Sequence, residues 1–202
     1  MDLNRHPRLA VGAAALTLTL TVAACGAADE APAAPTTAEV TAAAVAANDA
    51  DAEFAQMMVI HHEGAIEMAD LAVAQGSSAD VRALGERISA AQGPEIETMT
   101  GWLQEWGRDM PAEADMGGMD HGGMDMGGLD QEEAMAELRA LSGAEFDGRF
   151  LELMIEHHRG AVVMAETQQA EGENAEAVAL AGKIIADQQV EITEMERMLA
   201  GS

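Results

Sequence analysis

Apolar positions recur every three or four residues from Phe54 onward. At about 100° per residue, Phe54, Met57, Met58, His61, Ala65, Met68 and Ala72 share one stripe, with Glu63, Glu67 and Asp70 opposite. The pattern predicts a helix from Asp51 to about Gln75, stopped by Gly76. Ser77-Ser78-Ala79-Asp80 resembles a capping box opening a second helix, which ends near Trp106 at Gly107. Gly93-Pro94 falls inside that helix and predicts a kink, because proline removes an amide donor and crowds the preceding turn. A short helix is expected over 130–141. Ser142-Gly143-Ala144-Glu145 is a second capping-box candidate, opening a helix that Gly172 breaks after about Ala170. Asn174 is placed to cap the last helix, which reaches about Ala200.

The second pair of helices repeats the first at a constant offset of 96 residues. Phe54 returns as Phe150, Met58 as Met154, His61-His62 as His157-His158, and Met68 as Met164. On the partner helices Leu84, Ile88, Gln92, Glu95, Met99 and Leu103 return as Leu180, Ile184, Gln188, Glu191, Met195 and Leu199. Two tandem hairpins with apolar faces bury those faces best on each other, so the expected fold is all-α, an antiparallel four-helix bundle. Repeat one spans 51–107, a Met/Gly/Asp-rich linker 108–129, the short helix 130–141 and repeat two 144–202. Ala, Leu, Met, Glu and Gln dominate and tyrosine is absent, which suits helices.

The first residues read as an address. Arg5 and Arg8 precede an apolar run, Leu9 to Ala24, too short to span a bilayer comfortably. It ends at Val22-Ala23-Ala24-Cys25, which looks like a lipobox with Cys25 as the lipidated residue. The bland alternative is an ordinary secretory signal with an accidental cysteine. Residues 25–50 read as a flexible tether. The expected location is the extracytoplasmic face of the cell membrane, held by the lipid anchor alone. A single cysteine leaves no internal disulfide. The net charge of −26 argues against nucleic acid and against lying flat on anionic lipid, and favours attraction of cations.

The chemistry lies in the histidines. Of six, His6 is in the leader, His61, His62, His157 and His158 form the doubled pair, and His121 is in the linker. Gln92, Glu95, Gln188 and Glu191 occupy inner-face places on the partner helices. A buried carboxylate needs a donor or a cation, and His61 and His157 are the expected donors. Three readings stay open. The histidines form a polar layer that fixes register. They ligate a metal, with the Gln and Glu groups orienting them. Or His and Glu ligate together as in di-iron bundles, for which the Glu-x-x-His spacing is missing. Met58, Met68, Met154 and Met164, like Met99 and Met195, fill core or offer thioethers. Met110, Met116, Met119, His121, Met124 and Met126 stand among glycines and aspartates. They read either as spacer whose methionines tuck onto the bundle or as an arm for Cu(I) or Ag(I), with Asp115, Asp120 and Asp125 suited to harder ions. No nucleophile–base pair or carboxylate cage stands out, so an enzyme is not expected.

Met58-Val59-Ile60-His61-His62 and Met154-Ile155-Glu156-His157-His158, with Gln92-Gly93-Pro94-Glu95-Ile96-Glu97-Thr98-Met99 and Gln188-Gln189-Val190-Glu191-Ile192-Thr193-Glu194-Met195, resemble the motifs of the bacterial domain-of-unknown-function family three-oh-five. The resemblance covers about residues 51–200. It implies a ferritin-like bundle and, from members described as extracytoplasmic copper binders, ligation by His61, His62, His157, His158 and nearby methionines. The Gly93-Pro94 step departs from the family pattern and sets the geometry of Glu95 apart. The function expected is a lipid-anchored copper binder or buffer using His/Met ligands. Its alternative is a non-catalytic scaffold whose protein partner is undefined.

Overall fold

The structure, a computed structural model, describes residues 47–111 and 126–201. The leader, Cys25, the tether as far as residue 46 and the linker residues Met116, Met119, His121 and Met124 lie outside the described residues. Five helices follow in order: α1 Asp49–Gln75, α2 Ala79–Trp106, α3 Gln131–Ala140, α4 Gly143–Glu171 and α5 Ala175–Gly201. Among the described residues no helix is long and apolar enough to cross a membrane.

Local chemistry sets most boundaries. The α1 helix starts two residues before the expected Asp51, because Asn48 is its N-cap and closes a capping box with Asp51. Gly107 ends α2 with φ 64°, the left-handed conformation that glycine adopts at least cost. Asn174 caps α5 as expected, its Oδ1 accepting from Ala177 N at 3.0 Å. The two serine capping boxes do not form as expected. Ser78, not Ser77, caps α2, accepting from Val81 N, and Ser142 makes no side-chain cap bond. Ser77 is used elsewhere, as shown below. The α2 helix runs unbroken through Pro94.

Helix α1 packs mainly on α2 and α4 on α5, and the α1–α4 contact joins the two hairpins. Ion pairs from Arg87 to Glu194 and from Lys183 to Glu95 tie α2 to α5. The product is the expected antiparallel helical bundle. The short α3 lies along the C-terminal half of α1: Arg139 pairs with Glu67 of α1, Glu137 with Arg149 of α4, Gln131 donates to the Gly64 carbonyl, and Gln75 donates to the Leu138 carbonyl. Gly64 therefore makes room for α3, since a Cβ there would stand 2.9 Å from Gln131 Oε1.

The core has two apolar clusters. One holds Ala65, Met68, Leu84, Ile88, Phe150, Met154 and Met195, and the other Phe54, Met58, Met99, Leu103, Ala161, Ala165 and Ile184. Repeat equivalents sit in opposite clusters: Phe54 and Phe150, Met58 and Met154, Met99 and Met195. The two copies are thus related by a pseudo-twofold axis. Along α1 and α4 the His-His pairs fall between the clusters. Each fully buried Met, Leu or Phe contributes about 1.5–3 kcal/mol of burial free energy.

The same axis governs a pair of carboxylates that the helix periodicity did not single out. Asp51, fully buried, accepts from Gln168 Nε2 at 2.6 Å, Glu173 N at 3.2 Å and Asn174 N at 3.0 Å. Asp147 accepts from Ser77 N at 2.8 Å, Ser77 Oγ at 2.6 Å and Ser78 N at 2.8 Å. Each of these aspartates, near the start of its helix, therefore clasps the hairpin loop of the other repeat. Gly172 leaves room for this, because a Cβ there would stand 2.7 Å from Asp51 Oδ1.

Candidate metal centre

Adjacent residues on a helix point about 100° apart. The two histidines of each pair accordingly address different neighbours. His61 faces α4 and meets His157, their ring centroids 3.6 Å apart and tilted by 43°. His62 turns toward α2, where its Nε2 lies 2.9 Å from Glu95 Oε2. His158 repeats this on α5, its Nε2 2.6 Å from Glu191 Oε2. This corrects the donor assignment from periodicity: the edge histidines His62 and His158 bind the carboxylates, and the central His61 and His157 meet across the core. All four imidazoles are buried, none more than 4% exposed.

The electrostatics follow from that burial. Desolvation, and then the charges of His61, His158 and His62, push the His157 ring well below its ordinary 6.5. Burial pushes the Glu95 carboxyl up, but hydrogen bonds from His62 and Lys183, with the lysine's positive charge, outweigh it and hold the group below its ordinary 4.5. An ionised Glu95 only accepts, so His62 donates from Nε2. In the neutral ring Nδ1 then carries the lone pair. Among the described residues, Nδ1 of His62, His157 and His158 has no hydrogen-bond partner although it is buried. A carboxylate on one ring nitrogen and an unused lone pair on the other is the arrangement by which proteins aim imidazole at a metal.

The remaining expected ligands differ in burial and in their spacing along the helices. Met58 and Met154 lie one turn before His61 and His157, fully buried, and Met68 lies two turns beyond His61, also fully buried. Met164, its repeat equivalent, is only partly buried. Met126 is 2% exposed and packs into the cluster of Phe150 and Met154, so this end of the linker joins the core. Gln92 and Gln188 are buried, and both polar atoms of the Gln92 amide, with Oε1 of Gln188, find no partner among the described residues. No group of three His, Cys, Asp or Glu side chains converges on one point among the described residues. Such a cage is what a hard or four-coordinate ion requires. Paired imidazoles, with methionines one and two turns away along the same helices, suit instead a soft ion of low coordination number.

The chain as a whole has counterparts among known proteins. A family model described as "Domain of unknown function (DUF305)" matches residues 51–199. The chain belongs to the DUF305 family. A DUF305 protein from Streptomyces coelicolor, inferred to be secreted, is 32% identical, with TM-score 0.66 over 75% of this chain and 91% of that one. A DUF305 fragment from Deinococcus radiodurans is 28% identical, with TM-score 0.68 over 77% of this chain and 99% of that one. CopM in its Cu(I)-bound form is 30% identical, with TM-score 0.61 over 75% of this chain and 96% of CopM. CopM is also known in Ag-bound, Cu(II)-bound and apo forms of similar likeness. No match was found among curated proteins.

Sequence periodicity missed the Asp51–Asp147 clasp and Lys183. The aspartates obey the offset of 96 that relates the histidines, so the repeat itself carried the signal. Lys183 left none, because its counterpart is Arg87 and the contact it makes lies on another helix.

Proposed function

We propose that this DUF305 chain binds a soft metal ion, copper(I), through imidazole and thioether donors outside the cytoplasm. The observation that carries the reading is the meeting of His61 and His157 across the core at 3.6 Å, flanked by the carboxylate-held His62 and His158. Met58, Met68, Met154 and Met164 supply soft donors beside the layer, and Met116, Met119, His121, Met124 and Met126 form a second, linker-borne set. Gln92, Glu95, Gln188 and Glu191 orient rather than ligate. The likeness to CopM, which is known with Cu(I) and with silver, supports the same ion class. Cys25 carries the lipid that holds the protein at the membrane. The protein binds or buffers its ion rather than turning over a substrate.

The test is competition for Cu(I) against a chromophoric chelator under reducing conditions. The full chain and a variant with His61, His62, His157 and His158 all changed to alanine are compared, with helicity checked by circular dichroism. Loss of tight binding in a folded variant supports the reading, and unchanged uptake sinks it. Repeating the titration with the linker methionines changed to leucine separates the two sets. Lipidation is read by mass spectrometry of membrane-extracted protein, with Cys25→Ala as its control.

One observation favours the scaffold alternative. His62 and His158 already satisfy Glu95 and Glu191, as a purely structural polar layer would. In that case the wild-type chain shows no Cu(I)-dependent rise in melting temperature.

A further inference from the structure

The two imidazole–carboxylate pairs are built alike and buttressed differently. Glu95 uses both oxygens: Oε2 accepts from His62 and Oε1 accepts from Lys183 Nζ at 2.9 Å. Lys183 comes from α5, in the other repeat, and is itself held by Asp187 one turn on, at 2.7 Å. A carboxylate bound at both oxygens cannot swivel, and the ring that donates to it cannot either. Glu191 accepts from His158 through Oε2, and its second oxygen has no partner among the described residues.

The sequence explains the difference. The repeat equivalent of Lys183 is Arg87, which could have served Glu191 as Lys183 serves Glu95. Arg87 pairs instead with Glu194 at 2.5 Å. The position equivalent to Glu194 is Thr98, whose hydroxyl donates to the Pro94 carbonyl at 2.9 Å and offers no competing charge. One acidic residue on α5 thus diverts the second copy's cation.

We infer that Lys183 is a positioning residue: through Glu95 it fixes the orientation and tautomer of His62, which makes the first His-His pair rigid and leaves the second pliant. Lys183 adds little to stability, because its own side chain is 57% exposed. Its acceptor is the sheltered partner, 11% exposed, and there a lost hydrogen bond is felt by the ring behind it. The consequence for copper rests on the metal-binding reading above. The positioning of His62 does not.

The experiment uses the metal-free full chain, with long-range 1H–15N correlation of the imidazole rings. In the wild type His62 gives one sharp tautomer with the proton on Nε2. In Lys183→Met its ring signals broaden and shift toward a tautomer mixture while those of His158 stay in place, and Lys183→Arg restores them. Cu(I) affinity, read by chelator competition, falls about 10-fold in Lys183→Met. The inference is overturned if His62 is unmoved, or if His62 and His158 shift together, which would mark general loosening. Lys183→Gln is the second variant should Lys183→Met fold poorly, with the same criteria. If the wild type takes up no Cu(I), the metal reading fails, and the ring spectra alone still decide whether Lys183 positions His62.

Discussion

In the first copy a buried imidazole, a doubly held carboxylate and a lysine from the opposite hairpin form a chain: His62, Glu95, Lys183, Asp187. In the second copy the chain stops after two members, and the Glu191 side chain is 19% exposed against 11% for Glu95. The difference extends to the thioethers. Met68 is fully buried in the cluster that α3 covers, whereas Met164 is partly exposed in the cluster flanked by the stacked Trp102 and Trp106. Duplication kept the residues that face the pseudo-twofold axis and let those around the rim diverge. A site built on such an axis has two similar halves, one set firmly and one open to rearrangement.

The largest expected effect removes the axis itself. Changing His61 and His157 together to alanine should weaken Cu(I) binding by more than about 100-fold, beyond the roughly 10–100-fold that loss of an outer-shell partner causes. The single changes His62→Ala and His158→Ala then sharpen the comparison. His62→Ala should cost more, because it discards the ring already fixed for binding, while His158→Ala discards one that must still be ordered. Equal losses in chelator competition would mean that the lysine buttress has no bearing on the ion.

The next effect is on stability. Asp51 accepts four hydrogen bonds, one of them from Asn48 N, and is fully buried; Asp147 accepts three and is 9% exposed. Asp51→Ala strands the amides of Glu173 and Asn174 and the Gln168 side chain, and should cost about 3 kcal/mol; Asp147→Ala should cost about 2 kcal/mol. Urea denaturation measures both. A reversed order would show that the loop at Ser77 and Ser78, not that at Glu173 and Asn174, closes the bundle more tightly.

Acid should then reveal these groups in two windows. His157 is held below 6.5 in the folded chain, so the unfolded chain takes up its proton first as pH falls. Its contribution is present above about 6.5 and is lost below that value. For Asp51 and Asp147, burial raises the carboxyls but the accepted hydrogen bonds outweigh it and hold both below 3.8. Their contribution is present above 3.8 and is lost as pH falls through the lower folded values. Melting temperatures of metal-free protein from pH 8 to pH 2.5 should therefore decline in two steps. Asp51→Asn with Asp147→Asn should flatten the lower one. A single decline near neutral pH, unaltered by those changes, would contradict the assignment of the aspartates.

Much of this architecture was legible in the chain, and the parts that were not share a cause. Helix ends at Gln75 and Trp106 follow from Gly76 and Gly107, and burial of Phe54, Met58, His61 and Ala65 follows from a 3.6-residue period. Those are properties of one helix. Which imidazole reaches which carboxylate depends on where α2 lies beside α1, and a 100° step separates a ring facing α4 from one facing α2. His62 therefore took the role expected of His61. The bond from Lys183 to Glu95 and the reach of Asp51 to Asn174 span 88 and 123 residues. No periodicity within a helix encodes such a reach, although the shared offset marked Asp51 and Asp147 as a pair.

The smallest effect concerns the departure at Gly93-Pro94, where the second copy has Gln189-Val190. Its expected consequence was a kink that displaces Glu95, yet α2 is unbroken there and Glu95 makes the same bond to His62 that Glu191 makes to His158. Beyond its chain neighbours and its own helix backbone, a Cβ on Gly93 would meet nothing within 4 Å. Gly93→Ala should therefore bring less than the usual helix-propensity gain of about 1 kcal/mol, because Pro94 crowds a Cβ on the residue before it, and the melting temperature should rise by less than about 3 °C. Its Cu(I) affinity and His62 ring spectrum should match the wild type. A change in either would mean that this turn-forming pair sets the position of Glu95, so that the two copies differ in helix geometry as well as in the cation behind the carboxylate.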